Sequence, residues 1–306
     1  MLEAFVRECG DRPPDGVLAL RWLNDRYRQI WGAVPWGFAH KNAILQTTAQ
    51  IESDSVTVTN ASLTVTETTS DAKWTSAVVG REFRATGDNE YYTIAGYTNA
   101  NPDTLTLDRV YEGTTGTVHG YSVHQRIYAL SSEVGQILTM TDLNHQRPLE
   151  RVSQQELDYI DPSRATYGEP RWYAPSGRDG NDIQQVELYY IPDEAYGISY
   201  SYIQEAPYVV GGEAKLVPQV FQSLLKHGWK ADYWHWRCAF EDARGAEQAQ
   251  AGQEELLFQY ELNQMIAREM QNEPPKRIEM AGQYTSHRYR RGAGKFLRWD
   301  HRNQMP

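Results

Sequence analysis

The chain is poor in cysteine and has no long apolar segment. Its 2 cysteines, Cys9 and Cys238, are too few and too far apart for a disulfide scaffold or a cysteine-rich zinc site. No apolar run reaches the roughly 18 residues of a membrane-spanning helix, so we expect no membrane association. The first residues carry acids from Glu3 onward and lack an apolar stretch, which predicts no secretory signal peptide.

Sequence motifs of catalysis are also missing. The chain contains no HExxH, CxxC or GxSxG, and its 8 histidines do not cluster. The segment Gly292–Lys295 resembles the end of a phosphate-binding loop. However, Phe296 stands where Ser or Thr should follow the lysine, and Tyr289 stands in place of the first glycine. We therefore expect a protein that is not an enzyme and has no catalytic residues, no metal and no cofactor.

What the chain does contain is an uneven distribution of charge. The 306 residues carry 30 Lys+Arg and 40 Asp+Glu, a net charge of −10. Residues 275–306 carry eight basic and two acidic residues, a net +6, which leaves −16 for the rest. Arginine and aromatic residues together are typical of protein-interface anchors and of single-strand nucleic-acid binders, and a solvated arm is the third interpretation. The residues concerned are Arg288, Tyr289, Arg290, Arg291, Lys295, Phe296, Arg298 and Trp299.

The two ends of the chain have helical periodicity. Leu20, Leu23, Tyr27 and Ile30 form one apolar stripe after a possible N-cap at Asp15. A second helical pattern begins after Val217–Pro218 and continues to about Met270, and the two glycines Gly245 and Gly252 favour a break or kink within it. Pro274 and Pro275 end it.

The middle of the chain has strand patterns. Residues 47–126 are dense in Thr, Val and Tyr that alternate with a period of two, and turn signals separate the runs, which predicts a small sandwich or barrel. Val186–Ile191 and Tyr196–Ile203 are two further strands on either side of Pro192–Asp193. We predict that these two strands pair with each other as a hairpin.

Several short motifs follow one another along the chain in a characteristic order. They are Tyr27–Trp31, Pro35–Phe38, Tyr128–Val134, Ile137–Leu138, Pro170–Tyr173, Glu187–Asp193, Tyr196, Tyr200–Tyr202, Pro207 and Leu216–Pro218. This order resembles that of the tailed-bacteriophage head-to-tail adaptor (connector) proteins, and the resemblance covers most of residues 15–236. Two departures stand out: Ser131 occupies a position where the family pattern favours proline, and the β-rich segment is longer than a minimal adaptor needs.

The resemblance implies an α+β fold with three parts. A helical-bundle adaptor body with a β-hairpin would comprise residues 1–46 and 127–274. An inserted small all-β domain, a sandwich or barrel, would comprise residues 47–126. Residues 275–306 would form an extended, basic C-terminal arm.

The resemblance also implies a structural virion protein. About twelve copies would form a cyclic homo-oligomer beneath the portal protein ring, in the neck between head and tail. The ring would contact neighbouring copies of itself, the portal and a downstream tail or nozzle protein, and DNA would pass through its channel without specific binding. The chain would be made in the host cytoplasm, and the eight basic and aromatic residues named above would dock on the portal.

Two further interpretations remain open at the level of sequence. The helix after Arg237 is acidic, and it either lines the DNA channel or presents a solvated face. The alternative function is a β-rich virion attachment or carbohydrate-binding module, with a cell-wall hydrolase third. The possible channel-lining acids are Glu241, Asp242, Glu247, Glu254 and Glu255.

Overall fold

The computed structural model describes residues 14–68, 74–88, 90–210, 219–238 and 244–272. The chain divides into two compact units. Met1–Gly37 and Tyr208–Pro306 form the helical unit, and Phe38–Pro207 form the β unit. The α-helices described are α1 (Gly16–Trp31), α2 (Gln154–Ile160), α3 (Gln222–Cys238) and α4 (Arg244–Asn272).

Thirteen strands are described, all of them in the β unit. Six form a closed barrel and seven form an open sheet. The barrel strands are β2 (Ile51–Val58), β3 (Thr64–Glu67), β4 (Glu82–Ala85), β5 (Tyr92–Thr98), β6 (Thr104–Leu107) and β7 (Gly116–His124). The sheet strands are β1 (His40–Gln46), β8 (Ile127–Ala129), β9 (Val134–Asp142), β10 (Arg147–Arg151), β11 (Trp172–Arg178), β12 (Gln184–Tyr189) and β13 (Gly197–Gln204).

Helix α1 forms where the apolar stripe predicts it. Leu23, Tyr27 and Ile30 are buried on one face. Asp15 occupies the N-cap position, but its side chain makes no capping hydrogen bond. The helix ends at Trp31, and the N–H of the C-cap residue Gly32 donates to the Arg28 carbonyl.

Aromatic packing joins the helices of the helical unit. Phe221 is fully buried and makes edge contacts with the rings of Tyr27 and Trp36. The Trp229 indole N–H donates to the carbonyl of Ala19, 3.2 Å away. These contacts bring the two ends of the described chain into one core. No helix among the described residues combines the length and apolar character that a membrane crossing requires.

The barrel is built from the strands that the alternation of Thr and Val predicts. Its strand order is β2-β3-β6-β5-β4-β7, and it closes because β7 pairs with β4 on one side and β2 on the other. Alternate residues point inward and are buried, since the side-chain period of a strand is two. The core includes Val56, Val65, Phe83, Ile94, Leu105 and Val123.

The open sheet has the order β1-β13-β9-β10-β11-β12-β8. The β10–β11 pair is parallel and the other pairs are antiparallel. A capping box between Ser153 and Glu156 starts helix α2, which lies between β10 and β11 in sequence. The sheet buries its own apolar cluster, which includes Tyr128, Met140, Val186, Leu188 and Ile198.

The structure corrects the predicted fold class. The chain is mostly β, and it is not a helical-bundle body with a small all-β insertion. Most of the strand residues that the prediction left to the helical body belong to the sheet. Two of its strands lack a readable alternation: β9 has two exposed residues between its buried ones, and β1 is exposed over most of its length. Neither strand therefore has the period of two that identifies strands in a sequence.

The predicted hairpin is also wrong in its pairing. Both strands exist, as β12 and β13, but they do not pair with each other. β12 lies between β11 and β8, whereas β13 lies between β1 and β9. Closeness in sequence favoured the hairpin, but the longer registers of β13 with β1 and β9 satisfy more backbone groups.

Candidate functional site

All residues of the predicted portal-docking site lie outside the described part of the chain. All eight basic and aromatic residues between Arg288 and Trp299 do so, as do Glu241 and Asp242 of the predicted channel lining. Both assignments stay predictions. The last described helix, α4, ends at Asn272, directly before this segment.

The three described channel-lining candidates each have a partner in the helical unit. The Glu247 carboxylate is 2.9 Å from Nε of Arg237, and Glu247 is buried. Glu254 accepts a hydrogen bond from Nδ1 of His227 when that nitrogen carries the proton, at 2.6 Å. Glu255 contacts Arg26. Arg237 supplies a counter-charge to Glu247, whereas Arg26 is shared between Glu255 and Asp232.

Arg26 is the charged centre of the helical unit. It extends from α1 to Asp232 of α3 at 2.7 Å and to Glu255 of α4 at 2.8 Å. Burial by itself lowers the pKa of Arg26, but the hydrogen bonds to the two carboxylates outweigh burial and raise it. The guanidinium thus stays charged and fixes three helices around one point.

Helix α4 has a second face that no described residue covers. Residues of this face recur at steps of four and three along the helix, which is the spacing of a coiled-coil seam. All are exposed, including Leu256 at 73%, Tyr260 at 63% and Met270 at 65%. We call this face the outer seam, and it consists of Ala249, Gln253, Leu256, Tyr260, Asn263, Ala267 and Met270.

The outer seam lies apart from the buried face of the same helix. Ala251, Phe258 and Leu262 form that buried face, and α4 packs extensively against α3. A helix with apolar residues on two faces has a place for a second helix. The outer seam is therefore a candidate interaction surface, and it leads in sequence to the basic segment 275–306.

A ladder of charged side chains, buried at Arg164 and Glu187, joins the barrel to the open sheet within the β unit. Consecutive N–O distances along it are 2.6, 2.8, 2.9 and 2.7 Å. Glu187 at its centre is 4% exposed and lies between two arginines. The ladder runs through Asp158, Arg164, Glu187, Arg126 and Glu82.

A buried histidine lies at the barrel end of this ladder. Nε2 of His124 is 3.4 Å from the Glu82 carboxylate, and its Nδ1 is 3.4 Å from the Ser122 hydroxyl. The hydroxyl is closer to that of Tyr167, at 2.8 Å. A serine nucleophile needs a base within about 3.2 Å, and Nδ1 of His124 is farther than that from the Ser122 hydroxyl. The hydroxyl lies closer to that of Tyr167, so the cluster joins barrel and sheet.

One end of the barrel has a polar cleft of about 530 Å³. Trp74 lines it and is 1% exposed. Its indole N–H has no hydrogen-bond acceptor in the described part of the chain. Asn99, Asn101 and Asp103 face the same cleft, so it offers both donors and acceptors to a polar ligand.

The β unit also brings together three metal-ligating side chains. Asp142, His145 and Glu169 place their ligand atoms within 4.8 Å of one another, the one such group of three found among the described residues. No cluster of histidine or cysteine in the sequence marks this group. Asp142 and His145 are three residues apart in one turn, a spacing the sequence does display, whereas only the tertiary structure brings Glu169 to them.

Comparison with known proteins assigns no family to this arrangement. No protein-family profile matches the chain, and no curated protein matches it. The resemblance to head-to-tail adaptors therefore rests on the order of motifs in the sequence.

Proposed function

We propose that the chain is a structural head-to-tail adaptor of a tailed bacteriophage, forming a ring beneath the portal. The observation that carries this proposal is the outer seam of α4. It is an exposed face with the spacing of a coiled-coil seam and includes the apolar residues Leu256, Tyr260 and Met270, and the basic, aromatic segment 275–306 follows it in sequence. Exposed apolar residues at this spacing suit a partner helix.

A closed ring of identical chains requires two different surfaces on each copy. The outer seam is one. The surface that receives it on the next copy would have to be a helical face, because the outer seam has the spacing of a coiled coil. The ring would continue the DNA channel from portal to tail, and the phosphates of DNA would pass it without sequence-specific contacts.

The basic segment supplies the contact with the portal. Arg288, Arg290, Arg291 and Arg298 would pair with portal carboxylates, while Phe296 and Trp299 would fill apolar pockets. The other face of the ring would bind the next tail protein. The proposed location is therefore the neck of the virion.

Native mass spectrometry of the full chain mixed with the portal ring of the same virus tests the proposal. We expect about twelve chains to add to each portal ring. A chain ending at Asn272 should add none, because it lacks the docking residues. The double variant Leu256→Glu, Tyr260→Glu should add single copies without completing the ring, since it puts charge into the outer seam.

A matched control is Val79→Glu, which places the same charge at an apolar barrel residue that is 46% exposed. It should assemble as the unmodified chain does. Far-UV circular dichroism checks that every variant is folded. Failure of the folded full chain to bind the portal at all would reject the adaptor proposal.

The cleft beside Trp74 favours one other function, a carbohydrate-binding module on the virion. Polyhydroxylated ligands suit a cleft that combines an unsatisfied indole donor with amide and carboxylate groups. A glycan-array screen of the full chain beside Asn101→Ala tests it. Binding that the substitution abolishes would support this function, and no binding to any glycan would reject it.

A further inference from the structure

Asp142, His145 and Glu169 converge on one point at the turn after β9. Nδ1 of His145 is 2.7 Å from the Asp142 carboxylate and 3.6 Å from the Glu169 carboxylate. One imidazole nitrogen thus faces two carboxylate oxygens from different segments of the chain. Asp142 ends β9, and Glu169 precedes β11.

The surrounding backbone holds this geometry in place. Asp142 is 1% exposed, and its second oxygen accepts the Asn144 backbone N–H at 2.8 Å. The turn is tied to β13, because the Leu143 N–H donates to the carbonyl of Gly197 at 2.8 Å. The Tyr196 ring lies against the imidazole, with centroids 6.0 Å apart. Ligands fixed in this way need little rearrangement to bind an ion.

The charges of the group favour a cation. Two carboxylates face a histidine and one arginine, Arg147, which lies 3.3 Å from Glu169. When His145 is neutral, Arg147 balances only one of the two negative charges. Arg147 is 51% exposed, so its side chain has room to turn outward. A buried carboxylate such as that of Asp142 gains from a close counter-charge.

We propose that Asp142, His145 and Glu169 bind a divalent transition-metal ion through Nδ1 of the histidine and one oxygen of each carboxylate. One imidazole nitrogen with two carboxylate oxygens is a ligand set that Zn²⁺ accepts. Binding requires Nδ1 of His145 to be unprotonated, so a proton on that nitrogen would go to solvent. The site connects the β9–β10 turn to the segment before β11 and so stabilises the open sheet.

Isothermal titration of the metal-free full chain with Zn²⁺ tests the site. We expect saturable binding of one ion per chain. Substituting a ligand, as in His145→Ala or Glu169→Gln, should weaken binding at least about tenfold. Arg147→Gln should strengthen it, because the substitution removes the cation that competes for Glu169.

The control is His119→Ala, which removes an exposed histidine in the barrel and should leave binding unchanged. Thermal unfolding provides a second readout, since an ion that binds only the folded chain raises the melting temperature with its concentration. That rise should disappear in His145→Ala. Equal Zn²⁺ binding by the full chain and His145→Ala would overturn the proposal, and so would the absence of saturable binding.

Discussion

At the scale of single residues, Glu187 is the most buried carboxylate of the charge ladder. Its carboxylate contacts Arg126 at 2.9 Å and Arg164 at 2.8 Å, and it is nearly inaccessible to water. Glu187→Gln leaves these arginines without their shared counter-charge. We expect it to lower the free energy of unfolding by about 3 kcal/mol, as measured by urea denaturation.

An exposed ion pair gives the comparison for this prediction. Arg109 and Glu90 are 2.7 Å apart, but both side chains are close to half exposed. Glu90→Gln should cost at most about 1 kcal/mol, since solvent screens such pairs. Equal effects of the two substitutions would show that the ladder contributes no more than a surface pair.

Asp161 makes stability depend on pH. Partial burial by itself raises its pKa, but hydrogen bonds from Ser163, Ala165 and Thr166 outweigh burial and hold the pKa at about 2. The unfolded chain has a value near 3.9. The stabilisation from ionised Asp161 is therefore complete well above about pH 4 and is lost as the pH falls through about 2.

The variant Asp161→Asn tests this dependence. Near pH 7 the urea midpoint of the variant should be lower than that of the original chain. The difference between the two midpoints should decrease as the pH falls from about 5 to about 3. Asp25→Asn is the control, because Asp25 is largely exposed on α1 and its contact with Arg21 is 3.9 Å long. A gap for Asp161→Asn that stays constant with pH would contradict the assignment.

At the scale of elements, the contact between α3 and α4 depends on a glycine. A Cβ atom at Gly228 would lie 3.0 Å from the buried Phe258 ring and 3.1 Å from Cδ of Arg26. Gly228→Val should therefore lower the free energy of unfolding by about 2 kcal/mol through overpacking. Far-UV circular dichroism during thermal unfolding measures the change.

Gly252 on α4 provides the opposite case. Apart from the backbone of α4 itself, no atom of the described residues lies within 4 Å of a Cβ built there. Gly252→Ala should raise the stability of the chain by up to about 1 kcal/mol, because alanine favours the helix and meets no neighbour. Destabilisation by Gly252→Ala would mean that this face is covered in the assembled protein.

The helices also show where a local sequence pattern is sufficient to predict secondary structure. The stripe of Leu23, Tyr27 and Ile30 predicted α1, and the prediction is confirmed. A break or kink was predicted at Gly245 or Gly252. The helical pattern is divided between α3, which ends at Cys238, and α4, which begins at Arg244, one residue before Gly245. Gly252, in contrast, lies inside α4, where packing of Phe258 against α3 offsets the lower helix propensity of glycine, since tertiary contacts override propensities of about 1 kcal/mol.

At the scale of the whole molecule, the two units have separate cores. The β unit is one continuous stretch of chain, whereas the helical unit takes helices from both ends. We therefore expect residues 38–207, produced alone, to fold. Cooperative thermal unfolding and a dispersed amide NMR spectrum would be the observations that support it.

The helical unit should behave differently. A peptide of residues 14–37 contains α1 without α3 and α4, so its apolar stripe has nothing to pack against. Helices of this length are marginal alone in water, and we expect the peptide to be mostly unfolded by circular dichroism.

Non-cooperative unfolding and a poorly dispersed amide spectrum of residues 38–207 would instead mean that the β unit needs the helices.

The sequence by itself determined what depends on neighbours along the chain. The stripe of α1, the strands of the Thr-rich segment and the helical periodicity before Pro274 repeat within a few residues. Local periodicity is visible without knowing any long-range contact. The uneven charge is likewise a property of the sequence.

Only the tertiary structure decided the rest. The pairing of β1 with β13 joins residues more than 150 positions apart, and Glu169 reaches His145 only because the sheet places them together. The outer seam is visible as a seam only once the other face of α4 is seen to be buried. Which distant strands pair depends on contacts between residues far apart in the chain. A pattern that repeats within a few residues carries no information about those contacts.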